Sequence, residues 1–143
     1  PINILKPQFE KYGIEVSVSG DDFFINGYEN EFQQVILNLL NNARDAHIQN
    51  NTFDAHLDIL CEISNSTGII YIEDNAGGIS NEIKEKIFEP YFTTKKQEEG
   101  TGIGLYMSRK IIHEKMSGTL NLVRKNKGSC FVIKLDIQNK KIW

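Results

Sequence analysis

Two cysteines in 143 residues, with no CxxC spacing and no histidine cluster beside either, exclude a disulfide scaffold and a thiolate metal centre. Cys61 and Cys130 both sit inside apolar runs, which points to reduced packing in a core. No apolar stretch approaches the length that spans a bilayer, and the first residues lack the basic, apolar and small-residue order of a signal peptide. The domain is therefore expected in the cytoplasm, whether or not a larger parent is anchored in a membrane. Internal repeats and low-complexity segments are absent as well.

What is present is an ordinary globular composition, 40% hydrophobic and 24% charged, at a length that suits one compact domain over residues 1–143. The net charge of -3 conceals a split, because residues 1–108 carry 7 basic and 17 acidic groups whereas residues 109–143 carry 9 basic and 2 acidic. Arg124, Lys125 and Lys127 read as a hairpin turn, and no aromatic residues interleave them for base stacking, so nucleic acid is not an expected partner.

Periodicity gives an α+β fold with a mixed, mostly antiparallel sheet covered on one face by about three helices. Leu5, Phe9 and Tyr12 predict a first helix that Gly13 ends, followed by short strands at 14–18 and 23–25. Phe32, Val35, Ile36, Leu39, Leu40, Ala43 and Ala46 form an apolar stripe that predicts the longest helix, over residues 29–49. Strands are expected at 56–63 and 69–73 around a turn at 65–68. Ser80 is placed as the cap of a short helix to Phe88, and the polar run 89–101 as a mobile loop. A helix over 103–116 and strands at 119–123 and 129–137 complete the chain.

Four strings carry chemistry. In NLLNNARDAH, Asn38, Asn42 and Asp45 share one helix face away from the apolar stripe, although Asn favours helices poorly. On one helix alone this is commonly a solvated side; neutral amide oxygens also suit a hard cation already carried by phosphates. In DNAGGI, Asp74 ends an apolar strand and Gly77 and Gly78 let the backbone approach a flat ligand. A carboxylate there accepts from the exocyclic amine of adenine, where guanine carries a carbonyl; an ordinary Asp-Asn turn is the plainer alternative.

In FEPYFTTK, Phe88, Tyr91 and Phe92 are available to anchor a loop in which Lys95, and Lys96 just after it, follow Thr93 and Thr94; a lysine there would neutralise terminal phosphate oxygens as the loop closes, and an exposed lysine with no specific role is the plainer alternative. In GTGIGL, backbone N–H groups at a helix start suit phosphate, and a glycine hinge is the alternative. The spacing is GxGxG without a preceding strand, and no GK[ST] occurs, so neither a dinucleotide fold nor a P-loop is supported.

In this order the strings resemble the N, G1, F and G2 boxes of the ATP-binding catalytic domain of sensor histidine kinases, in a nitrogen-sensor-like subgroup. That domain belongs to the superfamily shared with gyrase, heat-shock chaperones and mismatch-repair proteins. The resemblance spans roughly residues 28–135 and implies a two-layer α/β sandwich with a mobile ATP lid, using ATP and Mg2+. It implies Asn42 as the magnesium ligand, with Asn38 lining the phosphate side, Asp45 among the nucleotide-site residues and the phosphate contact of that position falling to Lys95. Asp74, Ala76, Gly78 and Ile79 would line the base, and Phe88, Thr93, Thr94 and Lys95 would belong to the lid. Gly100, Thr101, Gly102, Ile103, Gly104 and Leu105 would hold phosphates and hinge. Asn38 and Lys95 are the candidate catalytic pair.

Two positions depart from the pattern: Ala76 replaces the first glycine of DxGxG, and Asp45 stands where many relatives carry a basic residue. ATP-hydrolysing members place a glutamate base at the position of Asn38, and an amide cannot do that work. The resemblance therefore implies γ-phosphoryl transfer to a histidine on a separate dimerisation domain, and indirectly to a response regulator. No acceptor hairpin appears in the sequence, so the chain is expected to be an excised, monomeric catalytic domain. A nucleotide-sensing module, an anti-sigma-type serine kinase and a hydrolytic ATP clamp are the alternatives.

Overall fold

The apolar stripe expected over residues 29–49 forms α1, Glu29–Asn50, in which Val35, Leu39 and Leu40 are buried. A helix with one apolar face needs an apolar layer to cover it. The computed structural model, which describes residues 9–11, 13–21, 29–50, 54–77, 84–90, 103–125 and 128–136, supplies that layer as a five-stranded sheet.

The strands are β1 (Glu15–Gly20), β2 (His56–Ser64), β3 (Thr67–Asp74), β4 (Thr119–Lys125) and β5 (Gly128–Asp136), in the spatial order β1-β2-β3-β5-β4. β1 and β2 pair in parallel and the other neighbours are antiparallel. Side chains alternate along each strand. Leu57, Ile59, Ile70, Ile72, Phe131 and Ile133 therefore fall on one face and join the α1 stripe in a single core. This is the expected two-layer α/β sandwich.

Differences from the sequence reading are local. The turn between β2 and β3 is only Asn65 and Ser66, and Gly68, expected in the turn, lies buried in β3 opposite Ile63 and Leu135. Asn65 takes φ 58°, a left-handed conformation that asparagine tolerates, so a two-residue link closes the hairpin. Where a helix ending at Phe88 was expected, the described residues form a 3₁₀ turn, Lys86–Phe88. The late helix is α2, Gly104–Lys110, continued by a π-helical turn at Ile111–Lys115. Residues 9–11 are helical, as expected; the strand at 23–25, most of the first helix and the Ser80 cap lie outside the described residues. No described helix is long and apolar enough to cross a membrane.

Candidate functional site

Asp74 is the last residue of β3 and is only 7% exposed. A polar group buried to that degree needs partners. Its Oδ1 accepts from the Ala76 N–H at 3.0 Å, and its Oδ2 accepts from the Ser129 hydroxyl at 3.1 Å. Ser129 stands directly across from Asp74 in the β3–β5 register. A carboxylate has about four acceptor sites. Two remain after these donors, enough for a ligand amine.

The turn after Asp74 is tied down on both sides. Asn75 Oδ1 accepts from the His56 N–H at 2.8 Å while its Nδ2 donates to the Asp54 carbonyl at 2.9 Å. Asn50, the last residue of α1, donates a short hydrogen bond to the Ala76 carbonyl. Gly77 takes the left-handed position at φ 95°, and Ala76 does not. The alanine that departs from the family pattern therefore carries no backbone strain.

Gly128 explains how closely β5 approaches this turn. A Cβ there would lie 1.8 Å from the Asp74 carbonyl oxygen and 2.8 Å from the Asn75 Cα, both backbone atoms. Only glycine fits.

On α1, Asn38, Asn42 and Asp45 are all half-buried rather than solvated. Asp45 pairs with Arg44 at 3.2 Å. Asn38 reaches across to α2, donating through Nδ2 to the Ser108 hydroxyl at 3.1 Å and towards the Gly104 carbonyl at 3.5 Å. One helix thus touches the end of the glycine loop at Asn38 and the carboxylate turn at Asn50. At 1.5 Å per residue these contacts lie about 18 Å apart along the axis. Asn42 and Asp45 fall between them. His47 is buried with Nε2 3.0 Å from the His56 carbonyl.

Phe88 is 5% exposed, edge-on to Phe131 at 6.3 Å between ring centroids, and covered by the Arg109 guanidinium at 4.1 Å. Arg109 is itself held by Glu85 at 3.2 Å and by the Asn121 side-chain oxygen at 2.9 Å. Phe88, expected as an anchor at the start of the lid, thus spends its surface on core packing. Leu105 packs against the core, and Ile103 and Gly104 are half-buried at the start of α2. Gly78, Ile79, Thr93, Thr94, Lys95, Gly100, Thr101 and Gly102 lie outside the described residues.

The sequence model of the family described as histidine kinase-, DNA gyrase B-, and HSP90-like ATPase matches residues 27–139. The chain belongs to that family. It is 33% identical over 141 residues to the two-component sensor PprA of Pseudomonas aeruginosa, a match covering 95% of this chain and 15% of that protein. Sporulation kinase A of Bacillus subtilis is 34% identical over 121 residues, covering 84% of this chain and 19% of the relative. The chain thus spans less than a fifth of either relative.

Among solved structures, the catalytic domain of the histidine kinase ThkA matches with a TM-score of 0.82 at 27% identity, covering 95% of this chain and 87% of that one. ThkA in complex with the response regulator protein TrrA matches with a TM-score of 0.77 at 23% identity, covering 99% of this chain and 39% of that one. The family and the fold expected from the four strings are those observed.

Ser129, Asn75 and Asn50 are the site residues that sequence reading missed. Ser129 tests the geometry most simply. Ser129→Ala is expected to weaken ATP binding about fivefold, the value of one hydrogen bond, in isothermal calorimetry. Unaltered affinity would mean that the hydroxyl does not orient a ligand-binding carboxylate.

Proposed function

We propose that this chain is the single catalytic domain of a two-component sensor kinase, which binds Mg-ATP and gives its γ-phosphoryl group to a histidine on a separate dimerisation domain. The buried, doubly held carboxylate of Asp74 is the observation that carries this reading. Its spare acceptor capacity suits the adenine 6-amine, and the guanine carbonyl would face it acceptor to acceptor. Gly78 and Ile79 flank the base in this reading, beside the Ala76 backbone.

The donor set on α1 fits magnesium, because amide oxygens are hard ligands and Asn42 lies half-buried between the two ends of the site. Asn42 would hold the ion, which when bound neutralises charge on the phosphoryl oxygens. Asp45 borders the phosphate side, and Thr93, Thr94 and Lys95 close over the terminal phosphate, with Gly100 to Leu105 forming the loop and hinge. The residues of this chain position the γ-phosphorus and stabilise departing ADP. The nucleophile comes from outside: an imidazole nitrogen of the acceptor forms the new P–N bond as the bond to the β–γ bridging oxygen breaks. Asn38 offers no general base for water, which favours transfer over hydrolysis.

The phosphoryl group would then pass to a response regulator, the class of protein seen bound to ThkA. Transfer takes place where ATP is abundant, in the cytoplasm, whatever anchors the parent. Mixing the chain with its parent's dimerisation domain and γ-labelled ATP should give acid-labile phosphate on that domain. Acid-stable phosphoserine would indicate a serine kinase, nucleotide binding without transfer a sensing module, and rapid release of inorganic phosphate a hydrolytic clamp. Asn42→Ala is expected to lower Mg-ATP affinity roughly 10- to 100-fold while adenosine affinity is retained, measured by calorimetry with and without magnesium. A parallel loss of both would remove Asn42 from the metal site.

A further inference from the structure

Ser108 is a hydroxyl residue with 0% exposure on the inward side of α2, where an apolar residue would pack without cost. Its partner is Asn38, whose Nδ2 lies 3.1 Å from the Ser108 oxygen and 3.5 Å from the Gly104 carbonyl. On its other side the Asn38 Oδ1 accepts from Gln34 Nε2 at 3.1 Å. A carboxamide has two N–H donors and one acceptor oxygen with two lone pairs. Both donors are directed at α2, more closely at Ser108 than at Gly104, and one of the two lone pairs of the oxygen is engaged by the residue one turn earlier.

We infer that Asn38 is a positioning residue, an amide clamp that pins the first turn of α2 to α1 through Ser108 and Gly104, and that it acts on the phosphates only through this clamp. The inference rests on the nucleotide reading above and reassigns a residue that the family resemblance placed among the catalytic groups. Gly104 is the last glycine of GTGIGL and the first residue of α2. Asn42 lies one turn beyond Asn38 on α1. The clamp therefore fixes the downstream end of the glycine loop at a set offset from the proposed metal ligand. The adenine end is held independently, by Ser129, Asn75 and Asn50.

This division predicts a selective defect. Without the clamp, α2 shifts against α1 and phosphate contacts weaken, while the carboxylate turn is undisturbed. Calorimetry of Mg-ATP and of adenosine with Asn38→Ala, Ser108→Ala and the double variant reads this out directly. Each single change is expected to weaken Mg-ATP binding about 3- to 10-fold, and the double variant to be no weaker than Asn38→Ala, because both remove the same bond. Adenosine affinity should stay within about twofold of the parent.

Ser108→Cys, which nearly preserves volume but offers a weak acceptor, should reproduce the loss if Ser108→Ala does not fold. Four results would overturn the clamp. Both Ser108 variants could bind Mg-ATP as the parent does while Asn38→Ala does not, which would make Asn38 a direct ligand. The two losses could add in the double variant, or Mg-ATP and adenosine could weaken in parallel, as general destabilisation would cause. Absence of ATP binding in the parent chain would instead remove the nucleotide reading, and the clamp with it.

Discussion

Asp74→Asn is expected to lower Mg-ATP affinity about 100-fold while leaving the fold intact. The substitution keeps shape and removes one acceptor oxygen. The remaining carbonyl can still accept from the Ala76 N–H, so the new NH2 takes the place of Oδ2, which now accepts from Ser129. Ser129 can turn its hydroxyl and accept instead. The adenine amine has no such freedom and meets donor with donor. A loss of one charge-assisted hydrogen bond, compounded by that conflict, is worth about 2.7 kcal/mol, or a factor of about 100. Calorimetric titration with ATP, beside circular dichroism for the fold, decides the matter. Retained affinity would exclude Asp74 from base recognition.

Gly128→Ala should be the most damaging small substitution near the site. Its Cβ would sit 1.8 Å from the Asp74 carbonyl oxygen and 2.6 Å from the carbonyl carbon, and strand backbone cannot rotate away as a side-chain tip can. Relief requires the end of β5 to separate from β3, where Asp74 and Ser129 are paired. Overpacking of this kind costs roughly 3 kcal/mol, which lowers the Tm of a chain this size by about 10 °C. Binding should fall with it, because the Ser129 hydroxyl and the Asp74 carboxylate no longer meet. Thermal unfolding followed by ATP titration below the transition checks both effects. A Tm within about 2 °C of the parent would contradict the closeness of the two strands.

The parts legible in the sequence are those governed by a single segment. The α1 stripe repeats at helical spacing over about four turns, alternation marks β2 and β3, and β5 is a continuous buried run, so the layers follow from burial alone. Asp74 stood out because it ends an apolar strand before glycines. Ser129 did not, because nothing near position 129 states that it will face position 74; only the register across a separation of 55 positions does. Asn75 looked like an ordinary turn residue, and its two bonds go to a loop about 20 residues away. Asn38 was read on a polar face of α1, and its partner is 70 residues distant. Phe88 was read as an anchor at the start of a lid, and the strand that its ring packs on lies 43 residues later. Pairwise tertiary contacts of this kind leave no local periodicity to detect.

The wide turn at Ile111–Lys115 bears on which length changes this molecule tolerates. Such a turn is equivalent to one extra residue slipped into an α-helix. Ser108 just before it and Ile112 within it are both fully buried, one bonded to α1 and the other in the core. Deleting a single residue between 113 and 115 would remove that extra residue and restore regular winding, so the buried residues on either side keep their phase. The same frame-preserving deletion within Gly104–Lys110 would instead rotate one end of the segment by about 100° relative to the other, so the wide turn is where this helix absorbs a one-codon loss best.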